Sequence, residues 1–377
     1  MRETHKDLIK EANRIVVKVG TSSLTHDTGK LNIEMIEKIC RQLVNIHLSG
    51  KEVLLVTSGA VGAGLSKLGY SERPKSIPEK QAAAAVGQGI LMHVYEKIFS
   101  EYGETVAQLL LTKDDLKNRK RFLNSRNTLL TLLNKRVIPI INENDTVVVE
   151  EIKFGDNDTL AALVAGLVNA DLLILLTDID GLYTADPRSN PQAQLISVVP
   201  EIDDKITSLA GKTGSKFASG GMITKIEAGK IAINAGIPMI IANSKEDNIL
   251  NRLVQGEDKG TLFLPRDTNP HSRKKWIGFS SEIEGTLIVD QGCKDALICN
   301  GKSLLAKGIK EIKGKFERGS VVNIVDLSGE EFARGIISYS AEEMEKLKGR
   351  HSEDFFEILG YKDTDSVIHR DNLIIRY

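Results

Sequence analysis

Leu172-Leu-Ile-Leu-Leu-Thr-Asp-Ile-Asp-Gly-Leu-Tyr-Thr-Ala-Asp-Pro-Arg188 is the stretch that decides the fold. Five consecutive apolar residues, Leu172 to Leu176, run into Thr177 and then two acids, Asp178 and Asp180. So short an apolar run reads as a strand buried on both faces. In open α/β sheets the ligand crevice lies just beyond the carboxyl ends of such strands. Thr177, Asp178 and Asp180 are therefore expected at the rim of a site on a parallel sheet.

Working outward, apolar runs of strand length alternate with segments of helical period. Strands are expected at 15–19, 53–56, 106–111, 137–141, 172–176 and 237–241. Helices are expected near 33–43, 81–99, 121–134, 159–168 and 222–235. The first helix is read from Ile33, Ile36, Ile39, Cys40 and Leu43, which share one face. Such alternation implies an α/β three-layer sandwich, a mostly parallel sheet covered on both faces. Val147, Val148 and Val149, followed by Glu150 and Glu151, suggest an exposed strand or hairpin that interrupts the series.

The pattern stops at Pro265-Arg-Asp-Thr-Asn-Pro-His-Ser-Arg-Lys-Lys275, whose prolines and polar residues read as a linker. Beyond it, short β-branched segments punctuated by glycine suit a small all-β barrel. The expected division is 1–265 for the α/β domain, 266–280 for the linker, 281–361 for the small domain and 362–377 for a C-terminal tail. At 377 residues, two domains are the natural expectation. Lys plus Arg is 50 against 51 for Asp plus Glu, so no global charge directs the chain to nucleic acid or membrane. Over residues 281–350 the balance is eleven basic against twelve acidic. A nucleic-acid surface usually carries a basic excess, so this balance weighs against RNA and leaves only a local patch as a route to it. No signal-peptide core or membrane-length apolar run is present, and three cysteines make neither a disulfide framework nor a zinc spacing. A cytoplasmic protein is expected.

Several motifs carry chemistry. Lys18, inside an apolar strand and just before Gly20-Thr-Ser-Ser-Leu-Thr25, is costly to bury unpaired. It is either a cation aimed at phosphate or an edge-strand lysine in solvent. Ser58-Gly-Ala-Val-Gly-Ala-Gly64 has GxxGxG spacing, unlike a dinucleotide fingerprint, and is a second anion turn or a tight structural turn. Gly211-Lys-Thr213 and Gly301-Lys-Ser303 fail as P-loops because Ile206 and Ala296 stand at the first glycine position. Asn142-Glu-Asn-Asp-Thr146 and Gly155-Asp-Asn-Asp-Thr159 crowd Asp and Asn side chains into two strand-end loops. One of them could cap a helix, but together they suit binding of a small substrate with an ammonium group. Ser219-Gly-Gly-Met-Ile-Thr-Lys225 puts two glycines at a helix start and a lysine one turn in, an arrangement suited to phosphate. With no Ser-His-Asp or Cys-His arrangement, the set fits phosphoryl transfer, which relies on positioning and charge neutralisation.

At these motifs the chain resembles the amino acid kinase family, followed by a PUA domain. The residues that carry the resemblance are Val16–Thr25, Val56–Gly64, Ile141–Val147, Phe154–Ala162, Leu176–Tyr183 and Gly220–Lys225, in order along the first domain. Asn142-Glu-Asn-Asp145, the Thr177–Tyr183 run and the tail separate it from the acetylglutamate, aspartate and uridylate kinases of that fold. The resemblance implies ATP-dependent phosphorylation of the γ-carboxylate of L-glutamate, the first step of proline synthesis, with proline as a competing inhibitor. By motif, Lys18 and Lys225 would flank the transferring phosphoryl group, with Asp158 orienting them. Ser58, Asn142, Asp145 and Asn157 would hold glutamate. Thr177, Asp178 and the turn Ser219, Gly220, Gly221, Met222, Ile223, Thr224 and Lys225 would hold the nucleotide together with Lys18. Mg²⁺ would bridge the ATP phosphates with few protein ligands. A homo-oligomer and hand-over of product to glutamate-5-semialdehyde dehydrogenase also belong to this expectation. One departure is Ala218-Ser-Gly-Gly221 where the family more usually shows Gly-Thr-Gly-Gly; serine keeps the hydroxyl, on a stiffer loop. An RNA-associated protein with a kinase-like sensor domain is the alternative. Intact Lys18, Lys225, Asp158 and Asp178 favour the kinase.

Overall fold

A computed structural model describes residues 5–26, 28–70, 74, 76–147, 157–187, 189–211, 221–265, 283–362 and 364–375. The chain divides into two compact units, Met1–Lys117 with Asn124–Thr268, and Asn118–Leu123 with Asn269–Tyr377.

The first unit is built on one sheet. Its strands are β1 (Arg14–Val19), β2 (Glu52–Val56), β3 (Val106–Leu111), β4 (Ile138–Glu143), β5 (Leu172–Thr177), β6 (Val198–Val199), β7 (Met239–Asn243) and β8 (Thr261–Phe263). Their order is β3-β4-β2-β1-β5-β7-β8-β6. All neighbouring pairs are parallel except β7 with β8. β5, which opened the sequence argument, is buried along its whole length. β1 lies between β2 and β5, with Lys18 opposite Val56 on one side and Leu175 on the other. The chain runs outward from β1 in both directions, so the crevice at the carboxyl ends of β1, β2 and β5 is the switch point of the sheet. Lys18 is thus on a central strand, and the reading of an edge lysine in solvent does not hold.

Two helices pack together after β2. Helix Ile77–Glu101 starts at Ser76, whose hydroxyl accepts the Glu79 N–H, with Pro78 in its first turn. It buries Ala83, Ala84, Gly87, Gln88, Leu91, Tyr95 and Phe99 along one stripe. Helix Ala60–Leu68 follows β2 and packs on helix Ile77–Glu101 with backbone against backbone at Gly64 and Gly87. The glycine-rich turn expected over 58–64 is therefore shorter. Only Ser58 and Gly59 turn, Gly59 at φ +102°, and the later glycines lie inside the helix.

Strand starts differ from expectation for a common reason. Arg136 and Gly236 adopt left-handed backbone at the ends of helices Arg119–Asn134 and Met222–Asn234. The next residue, Val137 or Ile237, donates its N–H back to Leu132 or Ala232. These apolar residues close helices in the Schellman manner, and the strands begin afterwards. β6 and β8, of two and three residues, gave no sequence signal. The hairpin expected after Thr146 falls, beyond Val147, outside the described residues.

The second unit contains the small β sheet expected beyond the linker: β9 (Ile283–Val289), β10 (Ile309–Gly314), β11 (Val321–Val325), β12 (Glu331–Ile336) and β13 (Leu373–Ile375), ordered β10-β9-β11-β12-β13. Short helices join its strands, and Ser340 and Glu343 cap one of them reciprocally. Tyr339 and Phe355 meet edge to face in its core, centroids 5.4 Å apart. The linker expected over 266–280 lies outside the described residues.

Candidate active site

At the switch point, one carboxylate is held by two cations. Asp158 sits in the first turn of helix Asn157–Leu167 and is fully buried. Its Oδ1 lies 2.5 Å from the Lys18 Nζ, and its Oδ2 lies 3.0 Å from the Lys225 Nζ. Both lysines are themselves buried. The Thr224 hydroxyl lies 3.0 Å from the same Oδ2 and 2.7 Å from the Gly221 carbonyl, sharing its one hydrogen between them. Burial by itself would raise the Asp158 carboxyl, but the charges of Lys18 and Lys225 outweigh it and hold the group below the ordinary carboxylate range. With both oxygens engaged by cations, Asp158 is not free to act as a base. Two lysines against one carboxylate leave a net positive charge, an arrangement that favours an incoming anion.

Next to it, three carboxamides form a chain. Asn157 Nδ2 faces three acceptors, the Thr57 carbonyl at 2.6 Å, Ser58 Oγ at 2.9 Å and Asn142 Oδ1 at 2.9 Å, and its two hydrogens are shared among them. The Glu143 N–H donates to the same Asn142 Oδ1. Asn142 Nδ2 then donates to Gln88 Oε1 at 2.8 Å. Thr57 below is buttressed by the buried Tyr95, 2.8 Å between their hydroxyl oxygens. Ser58, Asn142 and Asn157 thus come together at the ends of β2, β4 and the helix that carries Asp158. Asp145 is half-buried in the turn after β4.

On the other side of β1, Thr177 ends β5 and donates from its hydroxyl to Asp178, which is exposed. Asp180 accepts from Asn243 at 2.8 Å and from the Tyr183 hydroxyl at 2.8 Å, so it braces the loop. Helix Met222–Asn234 begins after Gly221 with no side-chain cap, and its Thr224 N–H turns back to the Gly221 carbonyl. Met222, Ile223 and Thr224 form its first turn and Lys225 follows. Ser219 and Gly220 lie outside the described residues, as does Asp156.

The structure therefore unites Lys18, Asp158, Lys225 and Thr224 in one cluster, and Ser58, Asn142 and Asn157 in another. Sequence reading passed over Gln88, Tyr95 and Asn243. The first two sit in the alanine-rich helix expected over 81–99, none of whose residues was given a role. A buried polar residue on the apolar stripe of that helix, Gln88 beside Ala84 and Leu91, was the available signal. Among the described residues no group of three or more His, Cys, Asp or Glu has the geometry to hold a metal ion.

Residues 13–243 match the family model described as the amino acid kinase family, and residues 285–359 match that of the PUA domain. The chain is 57% identical over 362 residues to the glutamate 5-kinase of Caldanaerobacter subterraneus subsp. tengcongensis, covering 96% of this chain and 97% of that protein. It is 53% identical over 367 residues to that of Moorella thermoacetica, covering 97% of each. To that of Carboxydothermus hydrogenoformans it is 51% identical over 371 residues, covering 98% of this chain and 99% of the relative.

Proposed function

The chain belongs to the amino acid kinase family, and on that premise we propose that it transfers the γ-phosphoryl group of ATP to the γ-carboxylate of L-glutamate, giving L-glutamyl 5-phosphate and ADP for proline synthesis. The observation that carries the proposal is the buried Lys18–Asp158–Lys225 bridge at the carboxyl ends of the central strands. An oxygen of the γ-carboxylate attacks the γ-phosphorus while the bond to the ADP oxygen breaks. The nucleophile is already ionised at neutral pH, so no proton moves and no general base is required. That agrees with an Asp158 whose oxygens are both taken by cations. What the reaction needs is neutralisation of the charge spread over the equatorial oxygens, which Lys18 and Lys225 supply from fixed positions.

In this reading Ser58, Asn142, Asp145 and Asn157 hold glutamate. Thr177, Asp178 and the turn from Ser219 to Lys225 hold the nucleotide, the uncapped start of helix Met222–Asn234 facing its phosphates. Mg²⁺ would accompany ATP and add to the neutralisation of phosphate charge that Lys18 and Lys225 supply. Proline shares glutamate's α-carboxylate and ammonium centre and competes for the same groups. A cytoplasmic homo-oligomer that passes its acyl phosphate to glutamate-5-semialdehyde dehydrogenase completes the proposal. Among the described residues no helix is long and apolar enough to cross a membrane.

Trapping with hydroxylamine tests the reaction: L-glutamate and MgATP should yield γ-glutamyl hydroxamate. Hydroxamate from aspartate or N-acetylglutamate, with none from glutamate, would overturn it.

A further inference from the structure

The carboxamide chain has a fixed direction, and its two ends are unsatisfied. The Thr57 carbonyl can only accept, so the Asn157 atom against it is nitrogen. The Glu143 N–H can only donate, so the Asn142 atom against it is oxygen. The remaining Asn142 atom is then its NH2 group, which requires the facing Gln88 atom to be Oε1. Two backbone groups thus dictate the orientation of all three amides. One end of the chain is left with a buried donor, Gln88 Nε2, and the other with a buried acceptor, Asn157 Oδ1. Neither has a partner among the described residues. Gln88 is itself only 9% exposed. A buried donor without an acceptor is costly, and the fold tolerates it most readily where a ligand completes the bond.

We infer that Gln88 is a substrate-binding residue whose Nε2 donates to the α-carboxylate of the amino-acid acceptor. This rests on the glutamate reading above. A carboxylate is the acceptor that an orphan N–H in this place calls for, and the spacing of the strands chooses between the two that glutamate offers. The reacting γ-carboxylate belongs beside Lys18 on β1. Gln88 bonds to Asn142 on β4, with β2 between β4 and β1. Two strand spacings separate the two places by roughly 10 Å, so Gln88 meets the far end of the substrate. The Ser58 hydroxyl, which accepts from Asn157 at the other end of the chain, keeps its own hydrogen to donate there. Asn157 Oδ1, at the opposite pole, suits the ammonium group. The directed chain therefore presents donor and acceptor at separate points, as the α-carboxylate and α-ammonium of one amino acid require.

The isosteric substitution Gln88→Glu isolates the donor. A glutamate side chain still accepts from Asn142 Nδ2, so the support of Asn142 survives, while the orphan N–H becomes an anionic oxygen. It should repel an α-carboxylate and accept from an α-carboxamide. The expected result is a fall of roughly 10²-fold or more in kcat/KM for glutamate relative to its α-amide, with the ATP KM within about threefold of the unaltered chain. Unchanged preference between glutamate and its α-amide would overturn the inference, as would equal rises in both KM values. Should Gln88→Glu not fold, Gln88→Met, which carries no buried charge, serves in its place. It should lose roughly 10-fold of the discrimination against the α-amide, and retention of full discrimination would overturn the inference equally. Failure of the unaltered chain to phosphorylate glutamate would sink the glutamate reading itself, and this inference with it.

Discussion

Gly87 and Ala60 approach so closely that a Cβ on Gly87 would stand 1.7 Å from the Ala60 carbonyl oxygen. The contact is reciprocal, since a Cβ on Gly64 would stand 1.8 Å from the Ala83 carbonyl. These helices carry Ser58 at the foot of one and Gln88 on the flank of the other, so the crossing sets their separation. Gly87→Ala must force the helices apart, costing at least about 1–3 kcal/mol of stability and raising the glutamate KM. Gly89→Ala, two residues on, meets open space and should stabilise by about 0.5–1 kcal/mol through helix propensity. Urea denaturation of both variants checks the contrast, and equal effects would refute the close-packing account.

Lys18 and Lys225 should act on the transition state. Alanine at either position is expected to lower kcat by roughly 10²–10³. Steady-state kinetics distinguish this from ground-state binding, which would change KM and leave kcat near its original value.

Acid should erase the contribution of Asp158. Its folded-state pKa is depressed below the ordinary 3.8, so the stability it confers is present above that value and is lost as pH falls through the depressed one. Asp158→Asn leaves two buried lysines without their anion and should cost about 3–5 kcal/mol at neutral pH. The gap between the original protein and this variant should hold down to about pH 4 and narrow below it. A gap constant down to pH 2 in denaturant titrations would contradict the ion-pair assignment.

Asp145 should govern glutamate more than ATP. Asp145→Ala is expected to raise the glutamate KM far more than the ATP KM, and to weaken competition by proline in parallel. Equal rises for both substrates would indicate a structural role instead.

Much of this architecture was legible in the chain because burial on both faces leaves a plain mark. β5 is apolar from Leu172 to Leu176, and the clusters at Asn142 and Asn157 announced themselves by crowding polar side chains at strand ends. Less visible was anything depending on partners distant in sequence. Val137 and Ile237 look like strand residues, yet each spends its N–H on the preceding helix. Gly64 and Gly87 sit in ordinary helical sequence, and only the crossing of two backbones gives them meaning. Gln88 belongs to the same class, since its place depends on Asn142, 54 residues further along.

The central position of β1 has a consequence during synthesis. This strand leaves the ribosome early, pairs with β2 soon after, and then waits about 150 residues for β5, its other neighbour. At about 5–20 residues per second that interval is on the order of ten seconds or more. Through it, an apolar edge containing Ile15, Val16 and Val17 stands open, and the charge of Lys18 has no Asp158 to meet. A lysine in that edge opposes premature pairing with another nascent chain. By that rule Lys18 is expected to guard the open edge of β1 before Asp158 and β5 enclose it. A Lys18→Met chain should aggregate more during translation while remaining soluble once folded.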